Sequence, residues 1–193
     1  MHIDKLFQSF ARYQLLNKRE KEDLSSRLTE KKIRRRQYIL EADEISKQYT
    51  FVAEGCFRTF SLDRKFAEHN LQFAGENDWI MILHSFFFEK PAGVYVEAME
   101  PSIILQIGKS DLLDLFVNNP KYDRYFRVIV ENNYTKLENR ILEAISSSAD
   151  QRYHNFLANY STLAQKIPDK HIASYLGITP ESLSRIRKQV VNK

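Results

Sequence analysis

The longest helical pattern in this sequence runs from Lys121 to Ser146 and contains neither glycine nor proline. Its apolar residues recur at intervals of three, four or seven, as in a coiled-coil seam. A helix of about 26 residues is about 39 Å long, which is long for a domain of this size. It either packs along the rest of the domain as a core helix or pairs with the same helix of a second subunit. The stripe consists of Phe126, Val130, Leu137, Ile141 and Ala144, with Asn133 on the same side.

The segment before this helix has the pattern of a small β domain. The chain starts with two helical patterns, and then short runs rich in β-branched and aromatic residues alternate in polarity between glycine and proline residues. These runs predict an α+β chain in which an antiparallel β-roll, similar to a jelly roll, precedes the long helix. The runs are Tyr49–Phe60, Phe66–Phe73, Val94–Met99 and Ile103–Ile107.

The net charge of +4 is not spread evenly along the chain. Residues 1–149 contain 22 basic and 22 acidic side chains, whereas residues 150–193 contain 7 basic and 3 acidic ones. This asymmetry indicates a polyanion-binding end on a neutral body. The densest basic run, Lys31–Arg36, lies in the neutral part. This run either touches DNA flanks or an acidic partner, or it is a solvated strand edge that discourages sheet-to-sheet association. The acidic residues that follow it favour the interpretation as a strand edge.

Two short helical patterns joined at Gly177 lie within the basic segment. Glycine at this position supplies the positive φ that ends the first helix and allows a tight turn. Thr179 is suited to cap the second helix, and Pro180 fits the first helical position, where its missing N–H costs nothing. The pattern from Asp169 to Ile186 therefore predicts a helix-turn-helix. A two-helix hairpin with a solvated charged face is the structural alternative.

The second helix of this pair has one apolar and one polar face. At 100° per residue, Leu183, Ile186 and Val190 point inward. The opposite face carries arginine, glutamate and lysine, which suit the major groove of DNA. Arginine pairs bidentately with guanine, glutamate accepts a hydrogen bond from cytosine, and lysine reaches phosphates. The predicted DNA-binding residues are Thr179, Glu181, Ser184, Arg185 and Lys188.

Several segments resemble one known family. They are Phe51–Gly55, Gly75–Trp79 and Val94–Ala98 in the β-rich part, and Ile172–Ala173, Leu176–Thr179 and Glu181–Ile186 near the C-terminus. The sequence is similar to Crp/Fnr-type transcription regulators, which join a cyclic-nucleotide-binding-like β-roll to a long dimer helix and a C-terminal helix-turn-helix. The resemblance extends over most of the chain and is sharpest in the helix-turn-helix.

The resemblance implies a domain organisation and a function. It divides the chain into a β-roll sensor domain at 1–119, a dimerisation helix at 120–146 and a DNA-binding domain at 147–193. Members bind palindromic promoter DNA as homodimers and recruit or block RNA polymerase. Glu181 and Arg185 match the glutamate and arginine with which the family contacts bases. The sequence leaves open the effector, the operator and the direction of regulation.

Three departures from the family pattern change these expectations. Pro180 replaces the first base-reading arginine of the recognition helix, so the recognised sequence should differ from that of the best-known members. After the recognition helix we expect no β-hairpin wing. Ala92 stands near the position of the arginine that holds the nucleotide phosphate, and no arginine occurs between Arg64 and Arg124. A buried phosphodiester needs a fixed donor fork, so we expect no response to cAMP.

Four aromatic residues near the phosphate-binding segment of the family are candidates for an apolar effector pocket. They are Trp79, Phe86, Phe87 and Phe88. Aromatic clusters of this kind are more often part of a hydrophobic core, and this alternative stays open at the sequence level.

Composition excludes several other function classes. Cys56 is the only cysteine, so a multi-cysteine zinc site, an iron–sulfur cluster and an intrachain disulfide are ruled out. The histidines lack the spacing of zinc ligands, so we expect no bound metal and no cofactor, although haem on a single histidine stays open. No catalytic motif is present, so we expect no enzyme activity. No signal peptide or membrane span is apparent, which predicts a cytoplasmic protein. The alternative function is a ligand-sensing or adaptor module whose C-terminal segment docks a protein.

Overall fold

The computed structural model describes the backbone of residues 2–191 and the side chains up to residue 189. The predicted inward position of Val190 and the C-terminal residues Asn192 and Lys193 therefore lie outside the described part. The helices are α1 (His2–Ala11), α2 (Lys18–Ser26), α3 (Leu83–Phe88), α4 (Lys109–Asn118), α5 (Pro120–Ser146), α6 (Ala149–Asn159), α7 (Asp169–Leu176) and α8 (Pro180–Val191). The strands are β1 (Thr29–Ile33), β2 (Tyr38–Leu40), β3 (Gln48–Glu54), β4 (Phe57–Leu62), β5 (Glu68–Ala74), β6 (Trp79–Ile80), β7 (Tyr95–Ala98) and β8 (Ser102–Gly108).

The strands form two four-stranded sheets, with the orders β1-β8-β3-β6 and β2-β7-β4-β5. The pairs of β8 with β1 and β3, of β3 with β6 and of β2 with β7 are antiparallel. This arrangement, followed by a long helix and three C-terminal helices, confirms the predicted α+β fold class. Strand β1 lies at a sheet edge, and Lys31 and Lys32 on it are exposed, as expected for a protected edge.

The two faces of the first sheet bury different residues, because side chains alternate along each strand. One face contributes Val52 and Ile104 to a core that also contains residues of the second sheet, such as Val96. The other face contributes Phe51 and Leu105 to a larger core shared with helices α1, α2, α4 and α5. The β-roll is therefore filled between its sheets and covered on one side by helices.

The beginning of α5 belongs to this larger core. Tyr122, Tyr125 and Phe126 are buried there, and the rings of Tyr125 and Phe10 are stacked with centroids 3.6 Å apart. The Tyr125 hydroxyl accepts a hydrogen bond from Trp79 Nε1 at 3.0 Å and shares another with Ser9 Oγ at 2.8 Å. Burial raises the pKa of Tyr125, so the phenol stays neutral and serves as a hydrogen-bonding group within an aromatic core.

A capping box at α2 ties the start of α5 to the rest of the domain. Asn17 Oδ1 accepts from the Glu20 N–H at 2.9 Å, and the Glu20 carboxylate accepts from the Asn17 N–H at 2.7 Å. The same carboxylate accepts hydrogen bonds from Asn119 Nδ2 at 2.9 Å and from Lys121 Nζ at 3.0 Å. Burial opposes its ionisation, but the bonds from Asn17, Lys121 and Asn119 hold the pKa of Glu20 below its usual value of 4.5.

The chain divides into two compact units whose limits differ from the sequence-based boundaries. The first unit comprises residues 2–59 and 73–131, and the second comprises residues 60–72 and 132–191. The break within α5 and the grouping of 60–72 with the C-terminal helices were not expected from the sequence. The physical reason is a set of hydrogen bonds that segment 60–72 makes within the second unit.

We call this set of bonds the hairpin clasp, formed between the β4–β5 segment, Arg140 of α5 and Ser174 of α7. The Ser174 hydroxyl donates to Glu68 O at 2.9 Å and accepts from the Asn70 N–H at 3.0 Å. The Arg140 guanidinium donates to Leu71 O and to Asn70 O, and it lies 4.0 Å from the ring centroid of Tyr175. All the strand atoms in these bonds belong to the backbone.

The remainder of α5 leaves its apolar stripe uncovered. Leu137, Ile141 and Ile145 are exposed, as are Tyr134 and Leu142 beside them. The predicted stripe is therefore divided: Phe126 is buried, Val130 is half-buried, and the stripe residues after Asn133 face solvent in the single chain.

Candidate nucleic-acid interface

The predicted helix-turn-helix is formed by α7 and α8. Gly177 has a φ of +67° and ends α7 in the left-handed conformation, as expected for a glycine cap. The Gly177 N–H donates to Ser174 O at 3.2 Å, and the Ile178 N–H donates to Ala173 O at 3.0 Å. These two bonds satisfy carbonyl groups at the end of α7, so the chain reverses without losing backbone hydrogen bonds.

The start of α8 has the cap that the sequence predicted. Thr179 Oγ1 accepts a hydrogen bond from the Ser182 N–H at 3.2 Å. A hydrogen bond from the backbone of Glu181 itself and one from Thr179 keep the pKa of the Glu181 carboxyl below its usual value of 4.5. Glu181 is therefore anionic at neutral pH and is available to accept hydrogen bonds at the exposed end of α8.

The inner face of α8 packs on α7 and α6. Leu183 and Ile186 are buried, together with Ile172, Ala173 and Leu176 of α7. Arg187 adds a polar link, since its guanidinium donates to Asp169 Oδ1 at 2.6 Å and to the Tyr153 hydroxyl at 3.0 Å. Sequence reasoning did not assign these roles to Arg187 or Asp169, because α6 and α7 meet α8 only in the folded unit.

The outer face of α8 presents the predicted polar side chains together. Glu181, Ser184, Arg185 and Lys188 are all exposed, and Thr179 is exposed at the preceding turn. Within the described residues, neither Arg185 nor Lys188 makes an ion pair. This surface, which we call the α8 face, thus combines two unneutralised cations with short polar groups and one carboxylate.

Two arginines of the basic segment are used inside the unit instead. Arg152 donates from Nε to Leu176 O at 3.1 Å and from Nη1 to Ser147 O at 2.7 Å. Arg187 is held by Asp169 and Tyr153, as described above. The positive charge that a polyanion could reach is therefore smaller than the sequence count, and Arg185 and Lys188 contribute to it on the α8 face.

The structure does not bring the four predicted effector-pocket aromatics together around one cavity. Trp79 and Phe86 are buried in the core shared with the helices, whereas Phe87 and Phe88 are exposed. Trp79 and Phe86 therefore belong to the hydrophobic core, which was the alternative interpretation of these aromatic residues. A cavity of about 660 Å³ inside the roll is lined by other residues.

Helix α3 and the residues after it form the segment that corresponds to the family's phosphate site. Helix α3 has only six residues, and its N-terminus makes no side-chain cap bond. Ala92, near the expected arginine position, is buried and carries no hydrogen-bond donor on its side chain.

Among the described residues, no group of histidine, cysteine and acidic side chains could hold a metal ion. Among the helices within residues 2–191, none has the length and apolar character needed to span a bilayer.

Comparisons with known proteins agree with this architecture. Residues 30–119 match the family described as the cyclic nucleotide-binding domain. No curated protein matched the sequence. FixK2 from Bradyrhizobium japonicum superposes with a TM-score of 0.76 at 19% identity, covering 86% of this chain and 85% of that one.

Two further solved structures show the same fold. The c-di-GMP-responsive global regulator CLP from Xanthomonas campestris gives a TM-score of 0.70 at 13% identity, with 89% of this chain and 90% of that one covered. A protein from Eubacterium rectale, described as a transcriptional regulator of the Crp/Fnr family, gives 0.67 at 20% identity, with 92% and 85% covered. The predicted resemblance to Crp/Fnr-type proteins is confirmed at the level of the fold.

Proposed function

We propose that this chain, which combines a cyclic nucleotide-binding domain with the fold of Crp/Fnr-type regulators, is a cytoplasmic, homodimeric transcription regulator. In this proposal it binds a palindromic operator in double-stranded DNA and does not respond to cAMP. Residues 1–119 form its sensor part, 120–146 its dimerisation helix and 147–193 its DNA-binding part. The chain has no catalytic role and requires no cofactor.

The α8 face is the observation that carries the proposal. A recognition helix must be held by one face and must present unpaired hydrogen-bonding groups on the other. Leu183 and Ile186 fix the inner face, while Arg185 and Lys188 are exposed and make no ion pair with a described residue. Arginine suits guanine and lysine suits phosphate, so the face has both a base-reading and a backbone-contacting group.

Dimerisation is supported by the uncovered part of α5. Leu137, Ile141 and Ile145 follow one another at intervals of four residues and are exposed in the single chain. A contiguous apolar stripe on a long helix is typical of a helix–helix interface. A homodimer gives two α8 helices, which matches the two half-sites of a palindrome.

Two steps test the function. The purified protein first selects bound fragments from genomic DNA, and its affinity for the recovered sequence is then measured. We expect Arg185→Ala to reduce sequence discrimination by about 1–3 kcal/mol, and Lys188→Ala to weaken all sequences similarly. Lys136→Ala, which removes an exposed charge on α5, serves as the matched control. Affinity for DNA should also fall steeply between about 50 and 200 mM salt.

Two results would contradict this assignment. An unchanged footprint and affinity for Arg185→Ala would show that α8 does not read the sequence. Binding of the α8 face to a protein, with no salt-dependent binding to DNA, would favour the adaptor function instead.

The absence of a cAMP response is tested separately by isothermal titration of the full chain with cAMP. We expect no binding heat in the micromolar range, because Ala92 offers no donor for the phosphate and no arginine lies between Arg64 and Arg124. Micromolar affinity for cAMP would overturn this part of the proposal and leave DNA binding unaffected.

A further inference from the structure

A cavity of about 660 Å³ lies between the two sheets of the roll. We call it the roll cavity. Its walls come from β1, β3, β6 and β8 of one sheet, from β2 and β7 of the other, and from the loop between β2 and β3. A volume of this size lies within the range of about 300–1,000 Å³ that is typical of small-molecule sites.

The floor of the roll cavity is aliphatic. Ile33, Leu40, Ile80, Val96 and Ile104 line it and are buried. All five are branched and carry no polar atom on the side chain, so the floor presents a surface that an alkyl chain can cover. An ionised group placed there would lose its hydration without compensation.

Uncharged polar residues interrupt this floor: the buried Ser46 and the pair formed by Thr50 and Gln106. Gln106 Nε2 donates to Thr50 Oγ1 at 3.0 Å, and both side chains are buried. The two residues face each other across the β3–β8 pair. The pair satisfies its own hydrogen bond, so it provides no charge to neutralise a buried ionic ligand. A charged group of any occupant must therefore lie at the rim.

The rim carries two lysines with no described partner. Lys31 on β1 and Lys47 in the β2–β3 loop both line the opening and are exposed. Asp43 and Glu44 lie on the same rim, but the Glu44 carboxylate accepts a hydrogen bond from the Glu41 N–H at 3.0 Å and is thereby held by its own loop. Lysine has a longer and more flexible stem than aspartate, so its ammonium group reaches further over the cavity.

We propose that the roll cavity binds a small anionic amphiphile, with an aliphatic body on the isoleucine-rich floor and a single carboxylate held by Lys31 and Lys47. Binding at this position does not depend on whether the α8 face contacts DNA.

Isothermal titration of the full chain with decanoate, decanol and decylammonium, each below its micelle concentration, tests the charge. We expect one decanoate per chain, weaker binding of decanol and the weakest binding of decylammonium. Octanoate should bind about tenfold more weakly than decanoate, because two fewer methylenes are buried. Equal or tighter binding of decylammonium, or equal binding of octanoate and decanoate, would overturn the proposal.

Variants locate the site. We expect the double variant Lys31→Met, Lys47→Met to bind decanoate about tenfold more weakly and decanol unchanged, since each exposed ion pair contributes modestly. Lys32→Met is the matched control, because Lys32 lies next to Lys31 on β1 and does not line the cavity. Both lysines are exposed, so the variants should fold. Decanoate affinity that is unchanged in the double variant, or equally reduced by Lys32→Met, would overturn the assignment.

Discussion

The two halves of α5 follow the same helical periodicity but bury their apolar residues to different extents. In the first half, Tyr125 and Phe126 are 0% and 3% exposed. In the second half, Leu137 and Ile141 are each 52% exposed and Ile145 is 79% exposed. The sequence pattern fixes which side of the helix is apolar, whereas burial depends on whether the chain itself supplies a partner.

The polar contacts of the two halves differ in the same sense. The first half is held by side chains of the β-roll and its helices, through the Tyr125 hydroxyl and the Glu20 carboxylate. The second half uses Arg140 to bind backbone carbonyls of segment 60–72. Polar bonds thus anchor both halves, and only the second retains an apolar surface for a second copy.

The largest expected effect is on stability, when a buried residue in the first half of α5 is truncated. Phe126→Ala should lower the free energy of unfolding by about 3–5 kcal/mol, because it removes a ring that contacts Trp79, Tyr49 and Phe116 and leaves a cavity. Urea unfolding measures the change. Lys136→Ala, on the exposed second half, should stay within about 0.5 kcal/mol of the original chain. Similar losses in both variants would contradict the division of α5.

The next effect should appear in assembly. Ile141→Asp places a charge in the exposed stripe, so the dissociation constant of the dimer should rise by about a hundredfold or more, since a charge buried in an apolar interface lacks a partner. Sedimentation across a concentration series measures it. Asn139→Asp adds the same charge on the opposite side of α5 and should leave assembly unchanged. If both variants remain dimeric, the stripe is not the interface.

The smallest effect concerns pH. The folded-state pKa of Glu20 lies below 4.5, so its carboxylate stabilises the fold above that pH and loses this contribution as the pH falls through the folded pKa. Glu20→Gln should cost about 1 kcal/mol at pH 7 and less at pH 3. Urea unfolding at the two pH values checks this. A cost that is equal at both would show that the carboxylate charge has no role.

Local signals in the sequence predicted the helix-turn-helix correctly. Gly177, Thr179 and Pro180 act through their own backbone or through residues within four positions, so their roles can be deduced without knowing the fold. The polar residues of α8 were likewise assigned to one face, because helical geometry alone determines that grouping. Strands β3, β4, β5, β7 and β8 overlap the runs predicted from alternation, whereas β2 and β6 lie outside those runs.

Contacts between distant parts of the chain were not predictable in this way. Arg140 and Leu71 are 69 residues apart, and Ser174 and Glu68 are 106 apart, so no local pattern announces the hairpin clasp. The interior of the roll posed a related problem. Aromatic composition suggested a pocket at Trp79 and Phe86, but the sheets place those rings in a core and leave space beside branched aliphatic residues instead.

The hairpin clasp has a consequence for how this protein tolerates substitution. Arg140 and Ser174 bind peptide groups of Glu68, Asn70 and Leu71, and any residue offers the same carbonyl group, while any residue except proline offers the same N–H. Exposed side chains of the strand can therefore diverge without loosening these bonds, whereas no other residue reproduces the guanidinium donors of Arg140, and only threonine offers the same hydroxyl as Ser174. Saturation mutagenesis should find a permissive strand facing two intolerant helical positions.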